Sequence, residues 1–89
     1  MKIQQTLSFK ARFKKLHKNQ IAQVESAIQK IVENPDVGIK KKGDLSDVYV
    51  YKFHLDKTLQ LLAYTWEEEI ETITLLQLGS HENFYRNLK

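Results

Sequence analysis

The spacing of hydrophobic residues changes along this chain, from a helical period in the first third to a period of two in the second half. Residues 3–9 alternate loosely and are rich in Ile, Thr, Leu and Phe, which predicts a first strand, with Ser8 able to cap the next element. Residues 10–18 predict a short basic helix. Apolar residues at helical spacing through 20–33 predict a second helix, which ends before Pro35 because the residue preceding a proline avoids the α region.

The second half predicts three strands joined by short turns. Residues 48–55 alternate strictly, and this alternation divides them between two faces of a sheet. One face carries Tyr49, Tyr51, Phe53 and Leu55, and the other carries Val48, Val50, Lys52 and His54. Residues 59–66 are almost continuously apolar, which predicts a central strand, and residues 72–78 form the third. The turns at 56–57 and 67–71 are short, so the three strands should form an antiparallel meander.

The predicted order of elements is therefore β-α-α-β-β-β-α, with residues 81–88 as a short C-terminal helix. Two consecutive helices after one strand predict an α+β fold in which both helices pack on one face of an antiparallel sheet. The length of 89 residues predicts one domain, 1–89. The second face of the sheet should stay at least partly open, and Lys52 and His54 should lie on it.

Charge is distributed unevenly, although the net charge is only +3. Residues 1–18 contain six basic residues and no acid: Lys2, Lys10, Arg12, Lys14, Lys15 and Lys18. Residues 58–71 contain four acids and no base: Glu67, Glu68, Glu69 and Glu71. A basic region raises the local concentration of polyanions, although a solvated basic helix explains the first cluster about equally well. The acids fit a solvated hairpin tip better than a pair of catalytic carboxylates.

The bulk composition limits location and cofactors. No apolar run approaches the length of a membrane span, the N-terminus has no signal-peptide core, and cysteine is absent, which together predict a cytoplasmic protein. The three histidines lack metal-ligand spacing, and the three glycines form no phosphate-binding loop. We therefore expect neither a metal nor another cofactor.

Four residues could cleave RNA without a metal: Lys52, His54, His81 and Tyr85. Lys52 and His54 lie two residues apart on one strand face, roughly 7 Å along the strand. His81 directly follows the third strand, and Tyr85 comes one helical turn later. Histidines can give or accept protons near neutral pH, cations stabilise a charged phosphate, and a tyrosine can stack on a base. A solvated strand position is the simpler explanation for His54 alone, and packing against the core is equally plausible for Tyr85.

Three segments resemble the RelE/ParE superfamily of type II toxin–antitoxin toxins. They are residues 9–16, residues 43–55 and the ending 78–85, Leu-Gly-Ser-His-Glu-Asn-Phe-Tyr, which is most like the YafQ-like branch. The resemblance spans essentially the whole chain and implies a microbial-RNase-like fold. It also implies an antitoxin partner that neutralises the toxin. We further predict that a segment of this partner covers the open sheet face or packs beside the terminal helix, with acidic residues facing residues 10–18.

The resemblance also implies site residues. By position these are Lys52 and His54 on the second strand of the sheet, Gln60 on the third, then His81 and Tyr85. Gln60 departs from the family, which commonly has an arginine there, and a glutamine cannot neutralise phosphate. Two other cations could supply that charge, Lys57 and Arg86.

Three functions stay open at this point. Many relatives cleave mRNA on the ribosome, and this is the preferred hypothesis, with Lys14 and Lys15 among the basic residues that could hold ribosomal RNA phosphates. The ParE branch instead inhibits DNA gyrase and needs no active site. A homologue that has lost activity and only binds its antitoxin is the third possibility.

Overall fold

Two helices, five strands and one 3-10 turn make up the part of the chain that the structure describes, residues 1–41 and 48–80 of a computed structural model. In chain order they are β1 (Lys2–Gln5), α1 (Leu7–Lys14), α2 (Lys18–Glu33), β2 (Ile39–Lys40), β3 (Tyr49–Leu55), β4 (Thr58–Glu67), the 3-10 turn (Glu68–Ile70) and β5 (Thr72–Ser80). The α+β fold is as predicted. The predicted C-terminal helix, 81–88, lies outside the described residues.

The sheet has the strand order β1-β5-β4-β3-β2. Strands β3, β4 and β5 form the predicted antiparallel meander, and the apolar β4 is central. The sheet also contains two strand pairings that the hydrophobic pattern of the sequence did not predict. Strand β1 runs parallel to β5, from Lys2 opposite Thr72 to Gln5 opposite Leu75, so the sheet is mixed. Strand β2 pairs only with Tyr49 and Val50 of β3, and two residues are too short to show any alternation.

The predicted boundary between the first strand and the first helix is wrong. Strand β1 ends at Gln5, and α1 begins at Leu7. Thr6, not Ser8, caps the helix: its hydroxyl accepts a hydrogen bond from the Phe9 amide at 3.1 Å and donates to the Leu76 carbonyl at 2.6 Å. The loose alternation concealed the first turn of this helix, which was predicted over 10–18, because Phe9 belongs to a helical apolar stripe and packs on Phe13 one turn later.

The main core lies between the two helices and one face of the sheet. It contains the residues predicted for that face of β3, together with the apolar stripes of both helices. Its buried members are Phe9, Val24, Ile31, Leu55, Leu62, Tyr64, Ile73, Leu75 and Leu78. A smaller apolar cluster, Val50, Leu61 and Ala63 with Val48 and Leu76, lies on the opposite face. In the described part of the chain, neither helix combines the length and hydrophobicity needed to cross a lipid bilayer.

Tyr64 fixes the turn that follows α2. Its hydroxyl is buried at the end of β4, where it donates to the Pro35 carbonyl at 2.6 Å and accepts from the Gly38 amide at 3.0 Å. Burial raises the pKa of this phenol. The ring leaves no space beside Gly38, because a Cβ atom built there would lie 2.7 Å from the Tyr64 oxygen. The close approach of the Tyr64 ring to the backbone therefore depends on a glycine at this position.

A β-bulge interrupts β5. Gln77 lies opposite Ala63 and Leu75 lies opposite Tyr64, so Leu76 has no direct partner on β4. The core-facing residues of β5 are odd-numbered before the bulge, at Ile73 and Leu75, and even-numbered after it, at Leu78. This shift explains why residues 73–78, Ile-Thr-Leu-Leu-Gln-Leu, do not keep a strict alternation of apolar and polar residues.

Candidate active site

Lys52 and His54 lie side by side on the exposed part of β3, as predicted. Both side chains are exposed, and the register pairs Lys52 with Leu61 and His54 with Leu59 on β4. Directly opposed residues of an antiparallel pair share a face, so both lie on the face opposite the helices. The structure therefore brings together an ammonium group and an imidazole that are accessible to a large substrate.

The end of β5 reaches the same end of the sheet. The register aligns Phe53 on β3, Gln60 on β4 and Ser80 on β5 in one row across the strands. Two strand spacings separate Phe53 from Ser80, roughly 10 Å. Ser80 is the last residue that the structure describes, so the predicted site residues His81, Tyr85 and Arg86 lie outside the described range and their roles stay predictions.

Gln60 occupies a different environment from Lys52 and His54. It lies opposite Phe53, which places it on the face that packs against the helices, and only 4% of its surface is exposed. Its Oε1 atom is buried and has no hydrogen-bond partner in the described part of the protein. The structure thus does not bring Gln60 together with the exposed pair, and the predicted contact between Gln60 and a substrate stays a prediction.

The turn between β3 and β4 is attached to the start of α2 by hydrogen bonds to Asp56. The Gln23 side chain donates to Asp56 Oδ1 at 3.1 Å and accepts from the Asp56 amide at 3.0 Å. The Gln20 side chain donates to Oδ2 at 3.2 Å. Asp56 has a φ of 57°, a left-handed conformation that aspartate tolerates better than most residues. These contacts fix the hairpin that carries His54 and Lys57, and we call them the Asp56 clamp.

The Asp56 clamp predicts a specific loss of stability in acid. The hydrogen bonds from Gln23 and then Gln20 lower the Asp56 pKa below its ordinary 3.8. The resulting stabilisation is fully present above about pH 4 and is lost as the pH falls through the lower folded-state pKa. Gln23→Ala should therefore show a shallower fall in urea midpoint than the wild type between about pH 5 and pH 2. Gln29→Ala, on another side of α2, is the control, and equal slopes for all three proteins would contradict this role for the clamp.

Basic residues gather at the end of the sheet that carries the hairpin. Helix α1 starts beside Leu75 and Leu76, where Thr6 is anchored, and Arg12 in its last turn and Lys15 directly after it lie beside Gln77 and Leu78. Lys15 is therefore near the end of β5, Lys14 precedes it at the end of α1, and both are exposed. The group formed by Lys14, Lys15, Lys18, Lys52, His54 and Lys57 is called the basic end below.

The acidic residues are at the other end of the sheet. Glu67 closes β4, and Glu68, Glu69 and Glu71 lie in or beside the 3-10 turn before β5. Lys57 precedes the ten-residue β4 that Glu67 closes, and Lys52 lies opposite Leu61, so the distance to Glu67 along the strand is roughly 30 Å from Lys57 and roughly 20 Å from Lys52. The basic end and the four glutamates therefore lie at opposite ends of the sheet. The electrostatic field between them has a direction that can orient a polyanion.

The arrangement supports acid–base and electrostatic chemistry. His54 can move a proton, and Lys52 can stabilise a phosphate whose charge increases during reaction. The described residues contain no group of three or more potential metal ligands. Sequence reasoning missed the Asp56 clamp, whose only signal was the pair of glutamines one helical turn apart in α2. It also missed a groove between α2 and β3, which His54 borders.

Comparison with solved structures defines the fold class. The toxin in the RelBE2 toxin–antitoxin complex of Mycobacterium tuberculosis aligns with a TM-score of 0.75 at 21% identity, covering 90% of this chain and 96% of that one. The Escherichia coli RelBE complex aligns with a TM-score of 0.70 at 18% identity, covering 88% and 93%. The YoeB/ParE toxin of Agrobacterium tumefaciens gives 0.71 at 16% identity, covering 91% and 99%. At these identities the likeness establishes a RelE-like toxin fold.

The family assignment comes from the sequence itself. The family described as "ParE-like toxin of type II bacterial toxin-antitoxin system" matches residues 3–89, almost the full chain. This protein therefore belongs to the ParE-like toxins of type II bacterial toxin–antitoxin systems. A comparison with curated protein sequences gave no match.

Proposed function

We propose that this toxin is a ribosome-dependent mRNA endonuclease that stops translation and is neutralised by a cognate antitoxin. The observation that carries the proposal is the exposed Lys52–His54 pair at the basic end. A toxin that acts only by binding another protein has no need for an imidazole and an ammonium group on one accessible strand face. Structures of RelE toxins and RelBE complexes among the similar folds add support.

The proposed reaction is an internal transesterification of RNA. The 2′-oxygen attacks the adjacent phosphorus, forming a P–O2′ bond as the P–O5′ bond breaks. His54 takes the proton from the 2′-hydroxyl, and Lys52 stabilises the charge on the phosphate. A second group must protonate the departing 5′-oxygen, and His81 is the proposed acid, with Tyr85 stacking on a base. Lys14, Lys15 and Lys57 would bind neighbouring phosphates, and Arg86 or Lys57 would replace the family arginine.

Brief expression of the toxin should produce new 5′ ends in cellular mRNA within seconds to minutes, at positions inside translated reading frames. The physical reason is that a ribosome would hold the mRNA in the geometry that the exposed pair attacks. Sequencing of RNA 5′ ends after induction measures this directly. A drug that blocks translation initiation should remove the cuts, which is the control. Intact mRNA together with arrested growth would exclude the proposed activity.

Inhibition of DNA gyrase is the second candidate function. The family is named after ParE, and the position where RNA-cleaving relatives commonly have an arginine holds the buried Gln60. Under this alternative, induction should activate the DNA-damage response while mRNA stays intact. The same expression experiment therefore separates the two, and a homologue that only binds antitoxin would produce neither effect.

We also propose that the antitoxin contacts the basic end with acidic residues. In this position a partner would neutralise Lys52, His54 and the α1 lysines together, and the similar structures include toxin–antitoxin complexes. Electrostatic contacts of this kind are screened by salt. The dissociation constant of the complex should therefore rise at least several-fold between 50 and 500 mM salt. Over this range the Debye length shortens from more than about 10 Å to below about 5 Å, so salt screens contacts between exposed charges. Affinity independent of salt would contradict this placement, and the variant Lys2→Gln, far from the basic end, serves as the control.

A further inference from the structure

A groove of about 390 Å³ lies between α2 and β3, beside the candidate active site. It exists because β2 pairs only with Tyr49 and Val50, so no strand in the described part of the chain covers the outer edge of β3 beyond them. The residues of α2 above that edge are mostly small. The groove is lined by Ala22, Gln23, Ser26, Ala27, Lys30, Tyr51, Phe53 and His54, and we call it the α2–β3 groove.

The lining combines aromatic surface with one cation. The rings of Tyr51 and Phe53 are half-buried and lie nearly parallel, with centroids 6.0 Å apart. Ser26 offers an exposed hydroxyl. Lys30 is exposed and makes no ion pair with any described residue. Within residues 1–41 and 48–80, no carboxylate lines the groove, and both carboxylate oxygens of the nearby Asp56 accept hydrogen bonds from Gln20 and Gln23.

This lining defines the chemistry of a ligand. An apolar wall with two aromatic rings favours a flat, stackable group, a hydroxyl favours a group with hydrogen-bonding edges, and an unpaired ammonium group favours an anion. A nucleotide has all three properties. An acidic peptide would satisfy the charge but would leave the aromatic surface without a matching partner unless it also carried apolar side chains.

The position of His54 connects the groove to the reaction. His54 lies on the open face with Lys52 and also borders the groove. We propose that the α2–β3 groove is a base-binding subsite for single-stranded RNA, holding a nucleotide next to the scissile phosphate. The base stacks on Tyr51 and Phe53, Ser26 contacts its edge, and Lys30 binds the adjoining phosphate. This inference rests on the proposed RNA cleavage, and it makes α2 a determinant of which sequence is cut.

The test uses binding and cleavage as separate measurements on the full-length toxin. Ser26→Leu fills the groove from α2, and Lys30→Gln removes its cation. Gln29→Leu lies on the flank of α2 that faces the other groove, beside Phe13 and Ile28, and Lys10→Gln removes an equal charge from α1. These two variants are the matched controls. The binding probes are the four ribonucleoside monophosphates and a 2′-O-methyl tetranucleotide that cannot be cleaved.

We expect the probes to shift the amide resonances of Ala22, Ser26, Tyr51 and Phe53. Ser26→Leu and Lys30→Gln should each weaken tetranucleotide binding about tenfold, while Gln29→Leu and Lys10→Gln change it less than threefold. Ser26→Leu should also alter the base preference of cleavage sites in cells. Ser26→Ala, which removes only the hydroxyl and does not crowd the groove, should show a smaller change in the same direction and covers the case in which Ser26→Leu does not fold.

The outcomes separate this inference from the proposed function. If mRNA is cut and the groove variants change neither affinity nor base preference, the subsite is wrong and the endonuclease stands. If the probes bind in the groove but mRNA stays intact, the nucleotide site stands and the endonuclease is wrong. Binding of an acidic peptide but none of the nucleotide probes would overturn the subsite and assign the groove to a protein partner.

Discussion

Replacing His54 with alanine should slow cleavage of ribosome-bound mRNA by about 10²–10⁴-fold, the usual contribution of a positioned general base or acid. His54 is exposed on β3, so its removal leaves no cavity and no buried polar group, and the fold should be retained. Lys52→Ala should cost a further factor of about 10²–10³ by removing charge from the phosphate site, and Lys52→Arg should restore part of it. The measurement is single-turnover cleavage of mRNA in programmed ribosomes.

The control for these variants is Thr58→Ala, an exposed residue at the start of β4 in the same hairpin. It should cleave within about threefold of the wild type, a change of less than 1 kcal/mol. A further readout distinguishes catalysis from folding: His54→Ala should remove one limb of the pH–rate profile, whereas a merely destabilised protein would keep both limbs. If His54→Ala cleaves at the wild-type rate while substitution of His81 or Tyr85 slows cleavage, proton transfer is not the role of His54.

The largest expected effect on stability is at Gly38. Gly38→Ala places a methyl group 2.7 Å from the Tyr64 oxygen and 3.0 Å from Cε1, in a buried site where the ring cannot move without losing both of its hydrogen bonds. Overpacking costs about 1–3 kcal/mol, and a buried donor or acceptor left unpaired costs a similar amount. We therefore expect Gly38→Ala to lower the free energy of unfolding by about 2–5 kcal/mol, measured by urea denaturation.

A double-mutant cycle tests the cause. Tyr64→Phe alone should cost about 1–3 kcal/mol, because the Gly38 amide and the Pro35 carbonyl lose their partner. In that background the closest clash with a new methyl group is gone, so Gly38→Ala should cost clearly less than it does in the wild type. Strict additivity would mean that the methyl group and the hydroxyl do not compete for space. Ala11→Gly, on the exposed side of α1, reports the ordinary cost of a glycine–alanine exchange in this protein.

Long periodic segments were predictable because the burial of one face of a helix or strand repeats along their whole length. Helix α2 spans 16 residues, and its buried positions Val24, Ala27 and Ile31 recur at helical spacing. The faces of β3 followed in the same way from strict alternation, and with them the exposure of Lys52 and His54. The part of the site that lies on β3 was therefore available from the sequence.

The remaining features depend on contacts between distant residues. The true start of α1 is set partly by the bond from Thr6 to Leu76, seventy positions away, and no local pattern encodes that pairing. The Asp56 clamp joins residues 33 positions apart. Gln60 was assigned by position in a family motif, but the side on which its side chain lies follows from the register with Phe53. These are tertiary constraints, which local propensity does not contain.

The bulge at Leu76 holds one residue more than the pairing between β4 and β5 requires. Deleting Leu76 would leave Gln77 opposite Ala63 and Leu78 opposite Leu62, so the side chains would alternate regularly from Leu75 onward and Leu78 would stay on the core side. The deletion would instead remove the carbonyl that accepts the hydrogen bond from the Thr6 hydroxyl, together with the apolar contact of Leu76 on the opposite face. The substitution Leu76→Val keeps that carbonyl and would only trim the contact. The extra residue of this strand therefore serves the attachment of α1 to the sheet, not the direction in which the last core residue points.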